Sequence, residues 1–199
     1  MILINFERNV HLIGKLQSWR YFDHFKRRIK EQFKFDPGIQ GQANEFIQGA
    51  GRSHCNDNDS CTFVGIQVKR GNYLDTRQKE LGYTVATDSY FKNAMDHFVK
   101  RYGSVVFIVE SDDVQWSRTH VAHGGLGVVH ATSGLAYLDL AILSACNHSI
   151  ISVGSFGWWG AYLAGGDTVY YRKFPKQGSK LDKSFKLDDY YPPDWVGMV

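Results

Sequence analysis

The chain is 199 residues long, and 23 Lys and Arg against 20 Asp and Glu leave a formal charge of +3, too balanced for a dedicated nucleic-acid binder. Hydrophobic residues at 43% and charged residues at 22% exclude disordered, collagen-like and low-complexity classes. A chain of this size buries one good core, or two small ones, without staples.

The first eight residues begin apolar but are cut short by charge before a signal sequence can form. Residues 9–13 read as a short strand. Ser18 then caps a helix in which Trp19, Phe22, Phe25, Ile29 and Phe33 recur at helical spacing, until Asp36-Pro37-Gly38 stops it. Its other face, with Lys26, Arg27, Arg28 and Lys30, is solvated. Residues 40–60 are polar and Gly-rich and read as a linker or loop, with a domain boundary near residue 58. Cys55 and Cys61 flank the polar run from Asn56 to Ser60, and either bridge to close that loop or stay as free thiols; with Cys146 the count allows at most one disulfide. Asn58 and Asn147 begin sequons that matter only in a secretory compartment.

Beyond residue 60 the pattern is regular. Residues 62–69 form an apolar strand. Asp88 caps a helix carrying Phe91, Ala94, Met95, Phe98, Val99 and Tyr102, which Gly103 ends. Strands at 104–110, 127–130, 149–153 and 168–171 follow, the last being the final strand, with helices at 114–120, 135–146 and 156–163 between them. Gly124-Gly125 reads as a loop. Residues 135–163 are apolar enough to suggest a membrane span, but Asp139, Asn147 and His148 interrupt every window, so the segment is protein core. Unbroken apolar strands alternating with helices predict an α/β fold, a parallel sheet covered on both faces.

Ligands of open α/β sheets bind beyond the carboxyl ends of the strands. Those positions hold Lys69-Arg70-Gly71-Asn72-Tyr73, Ser111-Asp112-Asp113, His130-Ala131-Thr132-Ser133 and Gly154-Ser155-Phe156. The edge is cationic and rich in hydroxyls, which suits a phosphorylated ligand. Lys69 and Arg70 could neutralise a diphosphate, and Gly71 permits a close backbone approach. Ser155 serves as a helix cap, a phosphate contact or both. Asp139 lies inside an apolar helix, so its carboxylate needs a partner, either a structural hydrogen bond or a ligand. Asp113 reads as a helix cap, and Trp158, Trp159 and Tyr162 as core. No metal site is expected, because the eight histidines lack H-E-x-x-H or similar spacing, and no G-x-G-x-x-G fingerprint is present.

Taken together, these residues resemble the galactoside alpha-1,2-fucosyltransferases. The resemblance rests on the ordered set of Gly14 to Phe22, Val64 to Tyr73, Glu110-Ser111-Asp112-Asp113 with Trp116, Leu138 to Asp167, and Pro193 to Gly197. It implies a GT-B-type fold and an inverting, metal-independent transfer of fucose from GDP-fucose to the 2-OH of a galactose-terminated glycan acceptor. It also implies the lumenal side of the Golgi membrane, reached through an anchor that this chain does not match. The family's N-terminal domain with its G-N-Q-M-F-like segment is likewise unmatched. Residues 1–58 are therefore expected to be a remnant of an acceptor-side N-terminal domain, and 59–199 a GDP-fucose-binding Rossmann-like domain.

The family motif H-x-R-R-G-D-Y falls on Gln67 to Tyr73, with Gln67 for the His, Lys69 for the first Arg and Asn72 for the acid. Carried over by position, Gln67, Lys69, Arg70, Asp139, Ser155 and Phe156 bind the donor. Asp139 faces the guanine amino groups, while Ser155 and Phe156 form the pyrophosphate turn. Lys69 and Arg70 stabilise the leaving diphosphate. Arg70, Asn72 and Asp75 are the catalytic candidates, with Asp75 standing in for Asn72 as proton acceptor. The alternative is a catalytically weakened or inactive relative, or a fragment, that binds nucleotide sugar without turnover.

Overall fold

The computed structural model describes residues 18–55, 61–122 and 124–199. Its strands are β1 (Thr62–Val68), β2 (Val105–Ser111), β3 (Gly127–Ala131), β4 (His148–Ile151), β5 (Thr168–Tyr171) and β6 (Val196–Met198). The helices are α1 (Lys26–Gln32), α2 (Pro37–His54), α3 (Thr76–Leu81), α4 (Asp88–Tyr102), α5 (Val114–His120), α6 (Ala136–Ala145), α7 (Ser155–Ala164) and α8 (Leu187–Tyr190). All six strands are parallel, in the order β3-β2-β1-β4-β5-β6. This is the doubly wound order in which chain direction across the sheet reverses between β1 and β4, opening a crevice there.

Each strand is read in alternation. Val64, Ile66 and Val68 of β1 and Val105, Phe107 and Val109 of β2 meet Tyr90, Phe91, Ala94, Met95 and Phe98 of α4 on one face. Val106 and Ile108 of β2 meet Ala141 and Ile142 of α6 and Ala43, Ile47 and Ala50 of α2 on the other. A third cluster joins Trp158, Ala161 and Tyr162 of α7 to Tyr170, Tyr191 and Trp195, so the aromatic face of α7 is core as its sequence implies. Tyr90, fully buried, shares its hydroxyl proton between the carbonyls of Ile151 (2.7 Å) and Val169 (3.2 Å), tying α4 to β4 and β5.

Several expectations are corrected. The described part of the segment read as a linker, from residue 40 to 54, lies in α2. Asp36 is its N-cap, accepting from Gly38 N at 2.8 Å, and Pro37 stands in its first turn. Asp-Pro-Gly therefore starts a helix instead of stopping one, because Pro lacks only an amide that the first turn leaves unbonded. Ile39, Ala43, Phe46, Ile47 and Ala50 make the stripe that α2 packs into the same core as the sheet. The boundary expected near residue 58 and the strand at 9–13 lie outside the described residues.

The helix from Ser18 to Phe33 is broken into turns at Trp19–Tyr21 and Asp23–Phe25 before α1 begins. Phe22 turns inward onto Trp158, Trp159 and Tyr162, and the Trp19 indole N–H donates to the Asp188 carbonyl at 2.9 Å, contacts a straight helix would not make together. Thr87, not Asp88, caps α4, accepting from Tyr90 N at 3.2 Å. The strand at 168–171 is not the last. The short β6 adds to its edge, held by ladder bonds that three residues do not announce in sequence. Cys55 and Cys61 are bridged, while Cys146 is a buried free thiol pushed up to about 12 by burial. Among the described residues no helix is long and apolar enough to cross a membrane.

Replacing Tyr90 by Phe is expected to cost about 1 to 2 kcal/mol, because a buried donor to carbonyls of β4 and β5 is lost while the packed ring remains. A lowered urea midpoint at unchanged m-value would record it.

Candidate functional site

At the carboxyl edge, where β1 and β4 part, lies a cavity of about 420 Å³. The exits of β1, β2 and β4 and the start of α6 build it. Alternation decides which side chains reach it. On β1, Val64, Ile66 and Val68 point toward α4, so Gln67 and then Lys69 point the other way, toward α6 and α7. On β2, Glu110 is in phase with Val106 and Ile108 and faces the same side, directly beside Gln67 in the parallel register. Lys69, Asp112, Asp139, Ser155 and Phe156 complete the chemistry of the wall, with Tyr73 beside them.

Gln67 is buried, and both ends of its amide are engaged. Its Oε1 accepts from Ser152 Oγ at 3.1 Å, and its amide group hydrogen-bonds the Glu110 carboxylate. Ser152 Oγ in turn accepts from Lys69 N at 2.7 Å. Lys69 Nζ sits 2.6 Å from Asp112 Oδ2 and 5.3 Å from the centre of the Tyr73 ring. Asp112 also accepts from Arg70 N at 2.8 Å, so one carboxylate orders the whole exit of β1. Gly71 makes room for that carboxylate: a Cβ there would stand 2.3 Å from Asp112 Oδ2. The close approach foreseen at Gly71 is thus made by a side chain of the protein itself.

The entrance to α7 is shaped by Gly154, whose φ of +95° suits glycine, and which lies under the Tyr73 hydroxyl. Ser155 is the first helical residue and not the cap: Gly154 holds that position, and no side chain caps the helix. The unbonded amides of the first turn therefore open at the cavity wall beside Lys69. Asp139, buried in the first turns of α6, accepts from Ser133 Oγ at 2.7 Å while lining the same cavity, so its structural partner and its place at the site coexist.

Glu110 is the cavity-lining residue that inspection of strand exits misses, because it belongs to the strand and not to the loop after it. Its sequence signal is an acid in phase with Val106 and Ile108 at the end of an otherwise apolar run. Its Oε2 is shut off from solvent and has no hydrogen-bond partner. Burial, then the charges of Asp139 and Asp112, push its carboxyl up to about 7, against the opposing hydrogen bond from Gln67 and the charge of Lys69.

The remaining sequence-predicted residues do not line the cavity. Arg70 takes the opposite phase from Lys69. Its guanidinium lies 3.8 Å above the Trp116 ring, and its Nε sits 3.3 Å from Asp113 Oδ2, on the α4 and α5 side of the sheet. Asp113 also caps α5 by accepting from Trp116 N at 3.1 Å, as its position in the sequence implies. Two cations expected on one diphosphate are therefore divided between two faces. Asn72 is exposed in the turn Gly71–Leu74, and Asp75 is exposed at the cap position of α3.

The sequence matches glycosyl transferase family 11 over residues 6–199. It is 36% identical to galactoside 2-alpha-L-fucosyltransferase Sec1 of Mus musculus over 193 residues, which are 96% of this chain and 52% of that protein. Galactoside alpha-(1,2)-fucosyltransferase 2 of Pongo pygmaeus is 34% identical, over 96% of this chain and 55% of its own length. The chain thus spans about half the length of the curated relatives it matches. In three dimensions it is similar to POFUT1 in complex with GDP, with a TM-score of 0.51 and 15% identity over 70% of this chain and 47% of that chain. A glycosyl transferase family 9 protein from Veillonella parvula gives 0.52 at 18% identity, over 83% of this chain and 41% of its own. At such identities the likeness concerns the fold, and it bears out the GT-B-type expectation.

A carboxyl raised from its ordinary value of 4.5 to about 7 binds protons in the folded protein that the unfolded chain has already released, so stability falls as pH rises through that window. Glu110→Gln removes the effect. Thermal denaturation should show the variant more stable than wild type above pH 7, by about 3 kcal/mol at most, and equal to it near pH 4.

Proposed function

The chain belongs to glycosyl transferase family 11, and on that premise we propose that it forms the donor-binding part of a galactoside 2-alpha-L-fucosyltransferase. In this reading it holds GDP-fucose while a terminal galactose offers its 2-OH. The observation that carries the reading is the make-up of the cavity at the β1/β4 switch point: a cation and a helix N-terminus beside buried carboxyl groups. An anionic diphosphate complements the first pair, and the N–H groups of guanine complement a carboxylate.

In the transfer step the acceptor oxygen attacks the anomeric carbon, the bond from that carbon to the diphosphate oxygen breaks, and GDP leaves with inversion. Charge grows on the β-phosphate as that bond lengthens. Lys69 is the cation suited to meet it, by exchanging its bridge to Asp112 for the phosphate, and the amides beside Ser155 add fixed donors. Arg70 acts in this scheme as a positioning residue, pinning the loop through Asp113 and Trp116. The acceptor's proton passes to a base; Asp75, the candidate on this chain, is exposed at the cap of α3 outside the cavity wall, so it would take the proton from an acceptor seated at the rim.

No step here requires a divalent ion, and we propose metal-independent binding. The Cys55–Cys61 disulfide supports a lumenal, oxidising compartment such as the Golgi. A second reading, donor binding without turnover, draws support from Asn72, where an amide that cannot take a proton stands in place of the family acid.

Calorimetry should detect GDP binding that survives EDTA. Lys69→Ala is expected to weaken it by about 1.5 to 3 kcal/mol, and by more than Arg70→Ala does. Asp139→Ala should reduce affinity for GDP while leaving that for ADP little changed. Binding abolished by EDTA, or equal losses for both nucleotides, would contradict the site as described. Transfer of labelled fucose to a terminal-galactose acceptor then separates the enzyme from the binding module.

A further inference from the structure

Glu110 is a carboxyl group with no ordinary reason to be where it is. It stands on the core-facing side of β2, in phase with Val106 and Ile108, and one of its oxygens is buried with no hydrogen bond from any described protein group. A structural acid in such a place would be matched by a cation or several donors. Instead the ionisable groups around it are mostly acids: Asp139 from α6 and Asp112 from its own strand's exit. Among the described residues Lys69, from the exit of β1, is the one opposing cation acting on it, and Lys69 is already bridged to Asp112. The Tyr73 phenol, also on the wall, is held neutral by burial and by its neighbours Tyr83 and Asp112. From β1 itself Glu110 receives only the neutral Gln67 amide.

We infer that Glu110 is the proton carrier of this cavity: a nucleoside diphosphate enters with uptake of one proton onto the Glu110 carboxyl, and it binds weakly while Glu110 is ionised. The inference rests on the nucleotide-binding reading of the site and goes beyond it by assigning a linked proton to one residue. The balance is simple. A proton leaves the buffer, bonds to a Glu110 oxygen, and cancels one of the negative charges that the diphosphate brings into a wall already holding Asp112 and Asp139.

Two effects compete, and their sizes decide the direction. A hydroxyl or N–H of the nucleoside reaching the carboxylate would favour its charged form. The diphosphate carries full negative charges into the same low-dielectric space, and it draws Lys69 toward itself and away from the acids. Full charges acting in a protein interior outweigh one neutral dipole, so protonation wins. The uncompensated oxygen fits this account, since it is where a proton can sit without displacing any hydrogen bond already made.

The test is calorimetric titration of GDP into the chain between pH 5.5 and 8.5, in buffers of different ionisation heat, for wild type and Glu110→Gln. Wild type should take up about half a proton at pH 7, and its affinity should fall by up to tenfold per pH unit above neutrality. The variant, which imitates the protonated form, should take up less by that same half proton and bind more tightly than wild type at pH 8. The nucleotide's own phosphate titration is common to both proteins and cancels in the comparison.

Equal proton uptake in the two proteins, or a variant weaker than wild type at every pH, would overturn the assignment to Glu110 while leaving the nucleotide site intact. A chain that binds no GDP anywhere in the range would overturn the nucleotide reading itself, and this inference with it. Should the variant fail to fold, carbon-13 labelling of the five glutamates in wild type serves instead. One carboxyl should titrate near neutrality and move upward with GDP, and a titration that moves downward or stays still would refute the proposal.

Discussion

Gln67 is the constraint around which the site is organised. A polar side chain buried in a parallel strand is costly unless each end of it is bonded, and this one joins three strands in doing so. Its backbone carbonyl accepts from Ser152 N at 3.0 Å, its side-chain oxygen accepts from Ser152 Oγ, and its amide reaches Glu110 on β2. The carboxyl ends of β1, β2 and β4 are therefore held in one register at the point where the sheet changes direction. Everything downstream, including the course of Lys69 and the turn into α7, starts from that knot.

The separation of Lys69 from Arg70 follows from the same geometry. Successive residues of an extended segment project to opposite faces, so adjacent cations cannot both enter a cavity on one side of the sheet. Lys69 enters it and is bridged to Asp112. Arg70 goes to the other face and is clamped between a carboxylate and an indole, where its planar guanidinium stacks as an ammonium could not. Asp112 links the two halves by bonding the Lys69 ammonium and the Arg70 amide together. A cation paired in this way stands ordered, and any anion reaching it has to compete with Asp112 for it.

Glu110 and Asp139 lie where local design rules are broken: acids placed among apolar residues, one of them with an oxygen left without a partner. Such departures lower stability and gather where a protein meets its ligand. The contrast with Cys146 is instructive. That thiol is also buried and also displaced from its ordinary titration range, yet its wall is apolar and its role is packing beside α2 and α6.

Much of this was legible in the residues alone. Period-2 and period-3.6 patterns located β1 to β5, α4, α5, α6 and α7, because apolar runs of those lengths have few other ways to leave water. The cap at Asp113 and the core role of Trp158, Trp159 and Tyr162 followed from the same reasoning. Asp36-Pro37-Gly38 misled, since its residues suit the start of a helix as well as a stop, and only the burial of Ala43, Ile47 and Ala50 against the sheet selects between the two. Strand-exit composition pointed to a phosphate-compatible edge, and the motif order pointed to the family. It could not divide Lys69 from Arg70 or bring Glu110 beside Gln67 and Asp139. Those are relations between segments distant in the chain, set by sheet register, by strand order and by the face each residue happens to occupy, and only the tertiary structure decides them.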